Sequence, residues 1–231
     1  MPDLPLPAGV RAVDVPLALA RLHWAARVGQ AMAIEPPPGL PRAPTWEDLV
    51  AGAGFVASGG TLVVRARTLP DSVGAGMRVL VCGLNPSLVA ADAGYGYAGP
   101  SNRFWPAALA AGLVSRRGDP VRALLDDGVG MTDLVKRATP SARALTADEY
   151  RAGAARVQRV VRWLRPGLVL FVGLAGWRAA IDRTAVAGWQ PDGFGGVPAY
   201  LMPSTSGLNA HAPRAVLVEH MAAALASGGG R

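Results

Sequence analysis

Arg78-Val79-Leu80-Val81-Cys82-Gly83-Leu84-Asn85-Pro86-Ser87 decides the fold class. After Arg78 the run is apolar without alternation and is closed by a glycine and a proline, the pattern of a short strand buried on both faces, as in a parallel sheet. Residues 168–172, Leu-Val-Leu-Phe-Val, repeat that pattern, and 197–201 form a third candidate strand. Helical stretches lie between them. Ser101 is placed to cap a helix running to about Ala111, and Asp119-Pro120 starts another. Thr146-Ala147-Asp148-Glu149 has the form of a capping box for a long helix ending before Pro166, and residues 176–184 and 213–226 complete the set. This alternation predicts an α/β protein, a three-layer α/β/α sandwich with a mainly parallel central sheet, whose ligand cleft lies at the carboxyl ends of the strands.

Upstream the composition changes. Nine of the 20 prolines fall in the first 44 residues, which sets residues 1–68 apart as a Pro-rich, helical appendage to a domain spanning 69–231. Pro16 at a first helical position and the spacing of Leu17, Ala20, Trp24, Val28 and Ala31 predict an amphipathic helix closed by Pro36-Pro37-Pro38-Gly39. Thr45-Trp46-Glu47-Asp48 predicts a second, short helix, and residues 61–65 an edge strand. At the other end, residues 227–231 read as a loose tail.

With 51% hydrophobic and 17% charged residues the chain can bury enough apolar surface to exclude disorder as its general state. No apolar run is long enough for a membrane span, and the first residues lack the pattern of a signal peptide, so no membrane association and a cytoplasmic address are expected. The single cysteine, Cys82, excludes a disulfide framework and a cysteine-based metal cluster, and three scattered histidines make a protein-only metal site unexpected. Lys+Arg at 23 against Asp+Glu at 16 gives a net charge of +7, the direction expected of a protein that meets polyanions. A compositional bias toward Arg, Ala, Gly and Pro accounts for part of the same excess without a partner.

Two strand ends carry unusual loops. Residues 83–105 read GLNPSLVAADAGYGYAGPSNRFW, and residues 202–211 read MPSTSGLNAH. Each combines glycines and prolines that shape tight backbone with a few polar groups and an aromatic or leucine. Either alone is also compatible with an ordinary turn. A dinucleotide site is disfavoured, because the first loop lacks the Gly-x-Gly-x-x-Gly order.

Taken together, the two loops resemble the motifs of the mismatch-specific uracil/thymine DNA glycosylases, within the uracil-DNA glycosylase superfamily. The resemblance rests on the Asn85-Pro86 pair, Tyr97, the Asn102-x-Phe104-Trp105 ending and the Pro203-Ser204 loop. It extends over Gly130-Met131-Thr132-Asp133-Leu134-Val135 and the Phe171-Val172-Gly173 strand end. It implies a monofunctional, monomeric enzyme that needs no cofactor, flips a pyrimidine out of mismatched or damaged double-stranded DNA and hydrolyses its N-glycosidic bond. Asn85 then occupies the position of the residue that holds the attacking water. An amide can orient water but cannot accept a proton near neutrality, so the roughly 10²- to 10⁴-fold available from a general base is forgone. The departing base is expected to meet backbone N–H donors in the turn formed by Leu84, Pro86 and Ser87.

Thr132 is implied as a second group orienting that water, or as a helix cap. Tyr97 is implied as the surface on which the flipped base stacks, with a core aromatic as the alternative. Ser204, Thr205, Ser206 and Gly207 are expected to approach the minor groove, with Leu208 as the wedge that fills the gap, unless it is a buried core leucine. Ser87 stands where close members of the family have glycine, and residues 1–68 have no recognisable counterpart. A non-catalytic binder of damaged DNA on the same fold remains the competing reading.

Overall fold

The structure, a computed structural model, describes residues 6, 7 and 9–226. Its centre is a five-stranded sheet. Val79–Gly83, Val129–Asp133, Val169–Val172, Gly188–Phe194 and Val197–Met202 are β4 to β8, in spatial order β5-β4-β6-β8-β7. All neighbours run parallel except β7, which pairs antiparallel with β8 at the edge. Successive side chains of a strand face opposite sides, and β4 shows what this does here. Leu80 and Cys82 enter one core, with Phe171 and Leu201, beneath the long helix α6 (Ala147–Leu164) and α7 (Ala175–Ala180). Val79 and Val81 enter the other, beneath α4 (Phe104–Ala110), α5 (Pro120–Leu125) and α8 (Arg214–Ala226). The expected three-layer sandwich is the observed one.

Side-chain caps set the start of several helices. Thr146 and Glu149 form the capping box of α6, and Arg165 closes that helix in the left-handed region ahead of Pro166. Asp119 caps α5, which carries Pro120 at its first turn. The helix expected from Ser101 starts later. Its first free N–H, that of Phe104, is taken by Asn102 Oδ1 at 2.9 Å. Helix α7 stops at Ala180 rather than 184. Strand β7 is absent from the sequence reading, because Gly188, Pro191 and Gly193 suppress its β signal. An edge strand with a register shift between Gln190 and Phe194 tolerates them.

The N-terminal region contains more strand than expected. Helix α1 (Val15–Ala25) ends well before Ala31, since Gly29, at φ +79°, turns the chain into β1 (Ala31–Ala33). Val28 is exposed as a consequence. With β2 (Phe55–Ala57) and β3 (Leu62–Arg65), β1 forms an antiparallel sheet in the order β1-β3-β2, so residues 62–65 are its central strand rather than an edge. Helix α2 (Trp46–Gly52) begins with the expected capping box of Thr45 and Asp48. These elements close a core of their own around Leu19, Ile34, Leu49 and Phe55, and Trp163 of α6 packs against it. Asp48 ties the region to α6 through two bonds to Arg159, at 2.6 and 2.7 Å.

Candidate active site

The carboxyl ends of β4, β5, β6 and β8 open on a cavity of about 360 Å³, within the size range of small-ligand clefts. Asn85, Ser87, Tyr97, Asp133, Ser204 and Leu208 all line it. The two strand-end loops are thereby brought together. They touch at Gly207, where a Cβ would stand 2.6 Å from Ser101 Oγ.

The Asn85 amide is fixed by its nitrogen. The two N–H groups of Nδ2 are shared among the carbonyls of Pro86 and Arg137, each at 3.0 Å, and Thr139 Oγ1 at 2.8 Å. Two of these partners can only accept, which settles which end of the amide is NH₂. Oδ1 is left without a protein donor among the described residues, an acceptor free for a water or a ligand. Leu84 packs partly into the core beside Gly173 and Gly176. Pro86 O takes the N–H of Thr139. Ser87 lines the cavity and also caps α3 (Leu88–Ala93), a helix absent from the sequence reading, by accepting from Ala90 N–H at 3.1 Å.

Tyr97 lies at φ +61°, outside the usual range for a non-glycine residue. One face of its ring is stacked on Phe104, with centroids 4.1 Å apart and planes 18° from parallel. Phe104 and Trp105 are fully buried, and Trp105 Nε1 bonds Gly96 O at 2.8 Å, so the Asn-x-Phe-Trp ending builds the wall behind Tyr97. Arg103 is a brace: its guanidinium holds the carbonyls of Ser206 and Asn209 at 2.6 and 2.7 Å, and its N–H bonds Thr205 O. In the loop so held, Ser206 and Asn209 make further internal bonds, and Leu208 is 96% exposed, which rules out the buried-leucine alternative. Thr205 is buried, so its side chain is not presented on the loop surface as expected.

Thr132 is also placed differently from expectation. It lies within β5, not at a helix cap, and its hydroxyl donates to Asp71 Oδ1 at 2.7 Å and receives Arg156 Nη2 at 3.2 Å. Thr132 does line the cavity, but both its donor and an acceptor are engaged by this network. Asp71, buried, bridges Lys136 at 2.8 Å and Arg156 at 2.5 Å. Burial opposes its ionisation, yet the two cations hold its carboxyl below the usual range. This network links the segment before β4, β5 and α6, and braces the strand end it underlies.

Two groups in the cavity escaped the sequence reading. Trp24, expected only to pack, lines the cavity, and its Nε1 bonds Gly94 O at 2.8 Å, so the N-terminal region supplies part of the wall. Asp133 is the other. It is paired across the sheet with Gly83, and a Cβ at Gly83 would collide with Asp133 Oδ1 and stand 3.0 Å from Tyr97 Oη. The Asp133 side chain makes no hydrogen bond or ion pair among the described residues. Burial pushes its carboxyl up to about 6, with Lys136 and Arg156 opposing and Asp71 adding to the rise. A cavity carboxyl perturbed in this way is a functional candidate on physical grounds. Cys82 is buried, and desolvation raises its thiol well above the ordinary value, so it is no nucleophile.

A free amide oxygen on a tethered amide, a backed aromatic ring and an exposed apolar loop tip surround one cleft of a mainly parallel sheet, and enzymes that work on extruded bases likewise hold the base in a pocket against aromatic and apolar side chains. The sequence model of the uracil DNA glycosylase superfamily matches residues 70–226. The chain belongs to that superfamily. It is therefore a DNA glycosylase by family, a hydrolase acting on DNA in repair, and the matched region holds both loops, Asp133 and the whole five-stranded sheet.

Proposed function

We propose that this glycosylase extrudes and excises uracil, and more slowly thymine and other 5-substituted pyrimidines, from G·U and G·T mismatches, acting as a monomer on double-stranded DNA without a cofactor. The observation that carries this reading is the Asn85 amide, whose nitrogen is held among three acceptors while its oxygen meets no protein donor among the described residues. Such an oxygen holds a water without deprotonating it. Cleavage then rests on an oxocarbenium-like sugar and on stabilisation of the departing pyrimidine anion by N–H groups of the 84–87 turn. Tyr97, backed by Phe104, offers its free face for stacking, a contact worth about 1–3 kcal/mol. Ser87 is small enough to admit a C5 methyl. Leu208, with Ser204, Ser206 and Gly207 around it, enters the space vacated by the flipped nucleotide.

The test is a labelled duplex with one G·U pair, incubated with the protein and then cleaved at any abasic site by alkali. Strand scission that persists in EDTA is expected. A requirement for divalent ions, or no scission with protein in excess, would overturn the reading, and tight mismatch binding without scission would identify a non-catalytic binder instead.

A further inference from the structure

The loop that carries Tyr97 is held partly from outside its own motif. Helix α3 ends at Gly94, in the left-handed region at φ +80°, and three residues later Tyr97 stands at φ +61°. A non-glycine residue keeps such a conformation only where its surroundings impose it. Two indoles hold the backbone leading to it. Trp105 Nε1, from α4, donates to Gly96 O, and Trp24 Nε1, from α1, donates to Gly94 O, each at 2.8 Å. Trp105 belongs to the same motif as Tyr97, whereas Trp24 comes from the N-terminal region. Arg67 adds a two-pronged pair with Asp92, in the last turn of α3, at 2.6 and 2.7 Å. That pair is exposed on both sides and contributes little, so the half-buried Trp24 bond is the main tie.

A tether steadies a loop only if it is itself anchored. Helix α1 buries Val15 and Leu19 in the N-terminal core, while Leu17 packs against the core beneath α6. Arg65 Nε donates to the carbonyl of His23, the residue before Trp24, at 2.9 Å. Thr68 Oγ1 donates to the carbonyl of Lys136, just beyond β5. With Asp48 bonded to Arg159, these contacts fix the N-terminal region to the sheet domain, and Trp24 reaches the loop from a rigid element. Resting on the glycosylase reading, we propose that the N-terminal region takes part in base capture through Trp24, a positioning residue whose indole N–H holds the Gly94–Tyr97 segment so that the Tyr97 ring is set before the extruded base arrives. Without that bond the loop has to be ordered when the base enters, and the cost of ordering comes off the affinity.

Trp24→Phe keeps an aromatic ring in the wall and deletes the donor. The measurement is fluorescence anisotropy with a duplex carrying 2′-fluoro-2′-deoxyuridine opposite guanine, whose glycosidic bond resists cleavage, expressed as a ratio to the fully paired duplex. Trp24→Phe should lower this ratio roughly 2- to 10-fold, the size of one neutral hydrogen bond, with affinity for the paired duplex unchanged. Because Trp24 acts through Tyr97, the loss should vanish in a Tyr97→Leu background, which leaves the Leu208 loop in place. Hydrogen exchange of the free variant should quicken over residues 94–102 and stay native in α1 and the N-terminal sheet. An unchanged ratio, an unchanged exchange over 94–102, or a loss that persists in full in the Tyr97→Leu background would refute the proposal. So would protection lost throughout the N-terminal sheet, which would make Trp24 a folding residue. Uracil release from the ordinary G·U duplex is scored separately, so a protein that meets these expectations but cleaves nothing would reject the glycosylase reading alone.

Discussion

At the scale of single residues, Asn85 and Asp133 illustrate what a sequence discloses. Asn85 is legible because an Asn-Pro pair just past a buried strand is a local feature, and the structure adds only the three acceptors that orient it. Asn85→Ala should remove most uracil excision while leaving mismatch affinity nearly intact. Asn85→Asp should retain or raise excision, because a carboxylate can serve as base. Single-turnover rates beside binding isotherms separate these outcomes, and equal loss in both variants would make the residue structural. Asp133 was not legible, since its meaning depends on the pairing of β4 with β5 and on Tyr97 arriving from a loop 36 residues upstream. Its titration also bears on stability. The folded-state value of about 6 lies above the ordinary 3.8, so the folded protein keeps a proton that the unfolded chain releases. The stability this contributes is complete below about pH 4 and is lost as pH rises through 6. Asp133→Asn should therefore melt close to the native protein at pH 4 and higher at pH 8, by on the order of 5 °C. Thermal scans at the two pH values check it, and a variant less stable at pH 8 would contradict the assignment.

At the scale of elements, the buried strands and the long capped helix were readable because their signals are continuous in sequence. What escaped was short or self-contradictory: the three-residue strands β1 and β2 of the N-terminal sheet, β7 with its glycines and proline, and α3, whose six residues make fewer than two turns. The 202–211 loop was readable as a motif, but only Arg103, reaching it from the other motif, shows how it is held. That bracing is what a wedge needs, since a floppy loop would spend the stacking gain on being ordered. Leu208→Ala should leave the melting temperature within about 2 °C of native, as truncation of a fully exposed side chain costs little. Excision from G·U duplexes should fall while excision from single-stranded uracil substrates changes little, because a single strand has no gap to fill. Equal loss on both substrates would place Leu208 outside the DNA-facing surface.

At the scale of the whole molecule, the net charge of +7 acquires a location. Many arginines are committed: Arg156 to Asp71, Arg159 to Asp48, Arg137 to Glu149, Arg67 to Asp92 and Arg103 to the 202–211 loop. Arg116 and Arg117 are exposed on the loop leading to cavity-lining Pro120, and Arg143 is exposed beside cavity-lining Ser141 and Ala142. None of the three makes an ion pair among the described residues. They lie in two segments that run into the cavity lining, which makes them the candidates for contact with the DNA backbone. A phosphate contact releases condensed counterions, so each one steepens the dependence of affinity on salt by about 0.9 in the logarithmic slope. Removing one should flatten the slope by about that amount and weaken matched and mismatched duplexes alike, because phosphate contacts carry no sequence information. Arg143→Ala and Arg116→Ala, titrated with G·U and G·C duplexes across a series of salt concentrations, test this directly. The mismatch preference should be unchanged at each salt concentration. A variant that loses affinity only for the mismatched duplex, with its salt slope intact, would mark that arginine as a contact to the extruded base or its partner rather than to phosphate.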